Sequence, residues 1–295
     1  MSHTFYQTYR PRSWEDVLGQ EAVVQALLSS VKKGRNAHAY LFSGPRGTGK
    51  TSIARILAKE LGIKGPDLYE IDAASNRGID EIRALREEVW TLPFESKMKI
   101  YIIDEAHMLT KEAFNALLKT LEEPPAHVIF VLATTEPHKI PETVISRCEH
   151  HHFKKPKEEL LTKMVISVAK KEGFNLTKDG AELIAMLGEG SFRDTHGVLQ
   201  KIVGSVEGSE IEISHVRAVT NAPSRELVSD LLLAILSKKI PEALDAVARA
   251  ESESVDIAIF IKLLLRELRR AMLIKYSKVL AKKFEDELPA EEFKF

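Results

Sequence analysis

Apolar residues cluster in short, near-continuous runs along the first half of the chain. Four of them, at 38–43, 68–72, 99–104 and 128–133, are rich in β-branched and aromatic residues and lack a clean apolar–polar alternation. That pattern predicts strands buried on both faces, and so a parallel sheet. Between the runs, apolar positions recur at helical spacing over about 51–61, 79–90 and 111–121. Strand and helix alternate, the order of an open α/β sheet. A fifth short strand is expected from Cys148 to Phe153, ahead of Pro156.

After Pro156 the pattern turns helical. Segments 157–171, 178–187 and 192–203 carry apolar residues at helical spacing, with Gly173, Gly188, Gly190 and Gly204 as punctuation. Thr177 and Ser191 stand where N-caps belong, and Ser191 with Asp194 has the spacing of a capping box. Asn221-Ala222-Pro223-Ser224 marks a linker. Helices are expected beyond it over 225–237, 241–250 and from 256 to about 282. Apolar residues of the last one (Ile257, Phe260, Ile261, Leu264, Leu265, Leu268) are expected to pack within this segment or against a partner subunit. The expected organisation is an α/β domain over 1–155, a helical domain over 156–221 and a helical segment over 222–295.

Charge and cysteine content narrow the function classes. The 295 residues include 42 Lys plus Arg and 43 Asp plus Glu, a formal net charge of -1. That excludes a broadly basic nucleic-acid coat, while leaving room for a local basic patch. A single cysteine excludes an intramolecular disulfide and any Cys₄ or Cys₂His₂ zinc site, and suits a reducing compartment. Lys262 interrupts the best apolar stretch, so no run reaches the ~18 residues of a membrane span. The first five residues lack the basic-then-apolar order of a signal peptide. A cytoplasmic protein with no membrane partner is expected.

The run Gly44-Pro45-Arg46-Gly47-Thr48-Gly49-Lys50-Thr51 matches G-x-x-x-x-G-K-[ST] in full, between a predicted strand and a predicted helix. Glycines let backbone N–H groups converge on phosphate oxygens, and the helix N-terminus adds its dipole. Lys50 is expected to reach the β- and γ-phosphates and Thr51 to ligate Mg²⁺. Gly44 to Thr51 and the adjoining Ser52 form the candidate nucleotide-binding set. A second motif, Asp104-Glu105, ends the strand at 99–104, and ligands of open α/β sheets bind outside such strand ends. Asp104 is expected to hold Mg²⁺ through its outer coordination, and Glu105 to polarise the attacking water as general base.

Several longer stretches bear a family likeness. They are Tyr9-Arg10-Pro11, Val17-Leu18-Gly19-Gln20, Ile71 to Asp80, Phe114 to Pro125, Leu132 to Pro137, and Ile145-Ser146-Arg147-Cys148. With the two motifs above they resemble the AAA+ clamp-loader ATPases, specifically the gamma/tau subunits of bacterial DNA polymerase III, over about the first 220 residues. The resemblance implies an AAA+ P-loop domain with a parallel sheet, followed by a helical lid and a helical collar. It implies an ATP- and Mg²⁺-dependent motor that opens a sliding clamp on primed DNA and releases it on hydrolysis. Its partners would be other clamp-loader subunits in a hetero-oligomeric pentamer, the sliding clamp, primer–template DNA and the replicative polymerase.

Residue roles follow from the same resemblance. Thr135 matches the first sensor and Arg193 the second, on the lid. Arg147 matches the arginine finger, which acts on ATP held by the neighbouring subunit. Arg10, Pro11 and Val17 would line the adenine pocket, and Arg77, Arg83 and Lys119 are candidates for DNA phosphate contact. A replication factor C-like subunit, a branch-migration motor and a non-hydrolysing delta-prime-like scaffold are the alternatives.

The chain departs from the family in two places. The four cysteines of the usual zinc module are absent, since 61–67 bridges that gap without one, so no zinc is expected there. In Cys148-Glu149-His150-His151-His152, strand alternation points neighbours to opposite faces and keeps them from converging on one ion. The segment from Ser224 on is also shorter than the family's collar, with an acidic end (Glu285-Asp286-Glu287, Glu291-Glu292), as expected of a truncated or reduced collar.

Overall fold

The computed structural model describes residues 4–76 and 78–276. In chain order, α1 (Phe5–Thr8) and α2 (Glu21–Lys32) precede β1 (Ala39–Ser43), α3 (Lys50–Glu60), β2 (Leu68–Asp72) and α4 (Ile79–Val89). Next come β3 (Lys99–Asp104), α5 (Lys111–Glu122), β4 (Val128–Thr134), α6 (Glu142–Ile145) and β5 (Glu149–His152). They are followed by α7 (Glu158–Lys171), β6 (Asn175–Leu176), α8 (Lys178–Leu187), α9 (Phe192–Val203), β7 (Glu210–Ile211) and α10 (Ile213–Thr220). Three longer helices follow: α11 (Arg225–Leu236), α12 (Ile240–Ser252) and α13 (Ile257–Tyr276).

The strands form one parallel five-stranded sheet in the order β2-β3-β4-β1-β5. Burial follows position in that order. The inner strands β1 and β4 are buried at every residue and β3 at all but Asp104, whereas the edge strands β2 and β5 are half exposed. Successive side chains of the inner strands face opposite layers, as the pleat requires. Leu41, Tyr101, Ile103, Phe130 and Leu132 pack beneath Ile82, Leu85 and Val89 of α4 and Phe114, Leu117 and Leu121 of α5. Their neighbours Tyr40, Phe42, Ile100, Ile102, Ile129 and Val131 pack on the other face with Ile53 and Leu57 of α3 and Val23 and Leu27 of α2. A sheet covered on both faces explains why its strands read as continuous apolar runs.

The chain separates into two compact units that interleave in sequence: residues up to 173 with 184–200, and 174–183 with 201 onward. Sequence boundaries at 155/156 and 221/222 do not coincide with these units, because α8 and α9 each contribute to both. In the second unit, β6 and β7 pair in parallel and α11 and α12 pack with α13 around Leu227, Val228, Leu231, Ala246, Ala250 and Phe260. Ser224 caps α11 by accepting the Leu227 N–H at 3.1 Å, and Asp256 caps α13 by accepting that of Ile259 at 3.0 Å. Of the apolar residues expected to pack along α13, Phe260 and Leu264 do so, while Ile257, Ile261 and Leu265 face outward. Positions 277–282, where the sequence predicts that this helix continues, and the acidic end lie outside the described residues. No helix among the described residues is long and apolar enough to cross a membrane.

One buried carboxylate organises the approach to β3. Asp67, fully buried before β2, accepts backbone N–H bonds from Phe94 (2.6 Å), Glu95 (2.9 Å) and Ser96 (2.7 Å). Burial alone pushes its carboxyl up, but these donors outweigh burial and hold it at about 2. Asp67→Ala, which strands three donors, is expected to cost about 2–3 kcal/mol in urea unfolding. A depressed carboxylate contributes stability above its unfolded-state pKa near ~4 and loses it as the pH falls toward about 2. The stability gap between wild type and Asp67→Asn is therefore full at neutral pH and closes across that acid window.

Candidate active site

The loop after β1 is shaped by steric necessity. The Gly44 N–H donates to Thr134 O at 3.1 Å, extending the β1–β4 ladder by one bond, and its φ is 143°. A Cβ there would lie 2.3 Å from the Phe153 carbonyl oxygen, and one on Gly47 (φ 69°) 1.9 Å from Ser191 Oγ. Gly49, at φ 101°, starts α3. Glycine alone tolerates this combination of backbone angle and close approach. The Phe192 N–H donates to Gly47 O at 2.9 Å, so the start of α9 sits directly on the loop.

Lys50 is 6% exposed, and its ammonium donates to Gly44 O (2.8 Å) and Pro45 O (2.9 Å). Burial pulls its pKa down, the Glu105 and Asp104 carboxylates oppose that shift, and the Arg193 cation adds to it. Thr51 Oγ1 donates to Asp104 Oδ2 at 2.8 Å. These two oxygen ligands, at the mouth of a loop of backbone donors, are the hard donor set that Mg²⁺–nucleotide chemistry uses. The residues therefore fit a nucleotide's phosphates and Mg²⁺.

Glu105 has φ 49°, a left-handed value uncommon outside glycine. The turn is supported by its N–H donating to Asp104 Oδ1 at 3.0 Å. Thr135 Oγ1 donates to Glu105 Oε2 at 3.0 Å. β3 and β4 thus deliver the acid pair and the candidate sensor threonine to one edge, beside the loop from β1.

The remaining candidates occupy three settings. Arg10 Nε donates to Ser52 Oγ at 3.0 Å, and burial followed by the nearby Arg55 cation lowers its pKa. Pro11 and Val17 are half-buried, Val17 packing against the α2–α3 side of the core. Arg193 stands in the first turn of α9, where the macrodipole disfavours a cation. Its guanidinium lies 5.6 Å from the centroid of Tyr6, and the adjacent Asp194 pairs with Arg46 at 3.2 Å. Ser191 caps α9 through the Asp194 N–H (3.2 Å), but the Asp194 carboxylate serves Arg46, a departure from the expected capping box.

Arg147 is held apart from the loop. Nη1 donates to Thr143 O at 2.7 Å and Ser146 Oγ at 3.3 Å, and Nη2 pairs with Glu122 Oε1 at 2.7 Å, so its partners come from α5, α6 and the following turn. Arg83 and Lys119 are exposed on α4 and α5; Arg77 lies outside the described residues. In β5 the side chains alternate as expected. His151 pairs with Glu149 at 3.0 Å, while His150 Nε2 (2.7 Å) and His152 Nδ1 (3.2 Å) both meet Ser43 Oγ.

Sequence reasoning assigned no role to Gln20, Tyr6 or His107. Gln20 clasps the backbone of Lys154, donating to its carbonyl at 2.8 Å and accepting its N–H at 3.1 Å. His107 lies close to both Glu105 and Thr134. Its place in Asp104-Glu105-Ala106-His107 was the signal that could have found it.

Comparison with known proteins agrees with this geometry. The profile of the family described as "DNA polymerase III, delta subunit" matches residues 19–67 and 63–157. The chain is 38% identical to the DNA polymerase III subunit tau of Bacillus subtilis, covering 92% of this chain and 52% of that one. It is 38% identical to subunit gamma/tau of Mycoplasma genitalium (89% and 47%) and 35% identical to subunit gamma of Buchnera aphidicola (92% and 80%). The chain thus spans about half the length of the first two and four fifths of the third. Among solved structures, the Thermotoga maritima RuvB Holliday junction branch migration motor superposes with a TM-score of 0.62 over 88% of this chain and 91% of that one. At 22% identity that likeness speaks to the fold alone, a parallel α/β sheet followed by helical segments.

Gly44→Ala is expected to lower stability by ~1–3 kcal/mol through backbone strain alone, with the Phe153 clash added; thermal unfolding measures it. Burial pushes the Cys148 thiol up to about 12. The folded protein should therefore resist iodoacetamide at pH values near ~8 and react once unfolded in urea.

Proposed function

The chain belongs to the gamma/tau family of bacterial DNA polymerase III subunits, and from that premise we propose that it is the ATP-driven motor subunit of a clamp loader. One observation carries the reading. The 2.8 Å contact of Thr51 with Asp104, beside a Glu105 bonded by Thr135, sets the loop after β1 next to the strand-end acids, and that proximity supports a hydrolytic role. A non-hydrolysing scaffold has no need of this set. The delta-subunit profile match over 19–67 and 63–157 is what favours such a scaffold, and the presence of Lys50, Thr51, Asp104 and Glu105 argues against it.

In this reading the loop amides from Gly44 to Ser52 bind the phosphates, Lys50 leaves its two carbonyl partners for the β- and γ-phosphates, and Arg10, Pro11 and Val17 receive the adenine. Thr51 and Asp104 would hold Mg²⁺, which would supply charge neutralisation on the phosphate oxygens. Glu105 takes a proton from a water as its oxygen bonds to the γ-phosphorus and the bridging P–O bond breaks, yielding ADP and phosphate. Thr135 orients that water and Arg193 contacts the γ-phosphate from the lid. Arg147 exchanges Glu122 for the ATP of the neighbouring subunit, where such fingers are worth ~10³–10⁵ in rate.

ATP binding then orders a hetero-oligomeric pentamer that opens the sliding clamp and grips primer–template DNA, and hydrolysis releases the clamp to the replicative polymerase. DNA contact by Arg77, Arg83 and Lys119 is to phosphate, without base reading. The test is ATPase activity of the assembled complex with and without clamp and primed DNA: stimulation is expected, and its absence would point to another AAA+ branch. Glu105→Gln should retain ATP binding while hydrolysis falls ~10²-fold or more; hydrolysis at the wild-type rate would remove Glu105 from the base role.

A further inference from the structure

The molecule holds a buried imidazole against Glu105, and any role for it in hydrolysis rests on the reading of Glu105 as general base. His107 lies in the single turn 106–108 after β3, with its side chain 6% exposed. Its Nδ1 is 3.0 Å from Thr134 Oγ1 and 3.5 Å from Glu105 Oε2, and its Nε2 is 3.3 Å from Glu136 Oε1. Thr134 Oγ1 in turn accepts the Glu136 N–H at 3.1 Å. A hydrogen bond from Lys139, at 2.8 Å, leads the influences that hold the Glu136 carboxyl below its usual range. The imidazole is therefore wedged between a carboxylate from the end of β3 and a carboxylate from the end of β4.

Glu105 needs such support. A side chain on a left-handed residue at a strand end retains torsional freedom, and Thr135 bonds only one of its oxygens. The imidazole approaches that same oxygen, Oε2. The Thr135 hydrogen bond and a ring N–H 3.5 Å from the same oxygen together restrict where Oε2 can sit more than Thr135 alone does. We propose that His107, backed by Glu136 and Thr134, is a positioning residue that anchors Glu105 through Oε2 and presents Oε1 to the attacking water. His107 itself need touch neither water nor phosphate. Because a carboxylate only accepts, both ring nitrogens must carry a hydrogen for His107 to serve Glu105 and Glu136 together.

Positioning can be separated from binding and from folding. In the assembled complex, His107→Ala is expected to lower kcat about tenfold or more. KM for ATP and the affinity for a fluorescent ATP analogue should stay within about twofold. His107→Asn, whose amide nitrogen reaches the place of Nδ1, should restore a large part of the lost rate. Glu136→Ala should lower kcat less, and add little on top of His107→Ala, because both act through one contact. In the chain alone, NMR of isotope-labelled histidine should show the His107 ring resonances moving on Glu105→Gln. Wild-type kcat in His107→Ala, an equal loss of ATP affinity and kcat, or a His107 ring indifferent to Glu105→Gln would each overturn the proposal. If Glu105→Gln is inactive while His107→Ala is fully active, only this proposal falls. Wild-type hydrolysis by Glu105→Gln would take the general-base reading with it.

Discussion

Parallel pairing of β3, β4 and β1 sets Ser43 opposite Thr134 and Ile103 opposite Leu132, and each functional group inherits its height above the sheet from that register. Gly44, Asp104 with Glu105, and Thr134 with Thr135 all leave the sheet at its carboxyl edge, where open α/β folds bind ligands. The register is strongly specified, because inner strands are buried on both faces and a slip of one residue would exchange their two apolar layers. The ladder continues past the strand ends through Gly44 N–H to Thr134 O and Phe153 N–H to Ser43 O, which ties the phosphate loop to the same frame. Loop and acids thus reach the sheet edge on rigid elements.

Charge is concentrated at this edge of the sheet. Lys50 is buried against backbone carbonyls with the acids of β3 nearby, so its cation is held and oriented rather than left to solvent. Preorganised charge of this kind spares the reorganisation that water would demand during reaction. Opposite the loop, Ser191 to Asp194 bring a second cation close, and the Tyr6 ring and the Arg46–Asp194 pair offset its unfavourable place at a helix start. Arg147 stands outside this arrangement, fastened to Glu122.

Much of this was legible in the sequence. Apolar runs located four of the five strands of the main sheet to within a residue or two, most plainly the inner three, where burial on both faces leaves little room for polar residues; the polar edge strand β5 was expected only from its place ahead of Pro156. The glycine-rich loop after β1 and the acid pair ending β3 lie where their motifs put them, because those motifs fix residue types at fixed spacing between strand and helix. Helices α1, α2 and α10 and the short β6–β7 pair were missed, and α6 was not separated from its loop. Two-residue strands and one-turn helices carry too few positions for a period to show. The interleaving of the two compact units was also invisible, since it depends on which faces of α8 and α9 find partners rather than on any linker. Tyr6, Gln20 and His107 escaped notice because their roles arise from contacts between segments far apart in sequence: Tyr6 with Arg193, Gln20 with Lys154, and His107 with Thr134 and Glu136.

The central claim is that the hydrolytic site proposed for this chain is completed by Arg147 of an adjacent subunit. The most direct measurement mixes two variants of this chain in one reconstituted clamp-loader complex, Glu105→Gln and Arg147→Ala, each inactive when it supplies every copy. An interface joining the intact Glu105 of one copy to the intact Arg147 of the other should recover hydrolysis in proportion to its abundance. Mixtures as inactive as either parent, or full activity from Arg147→Ala alone, would contradict the account.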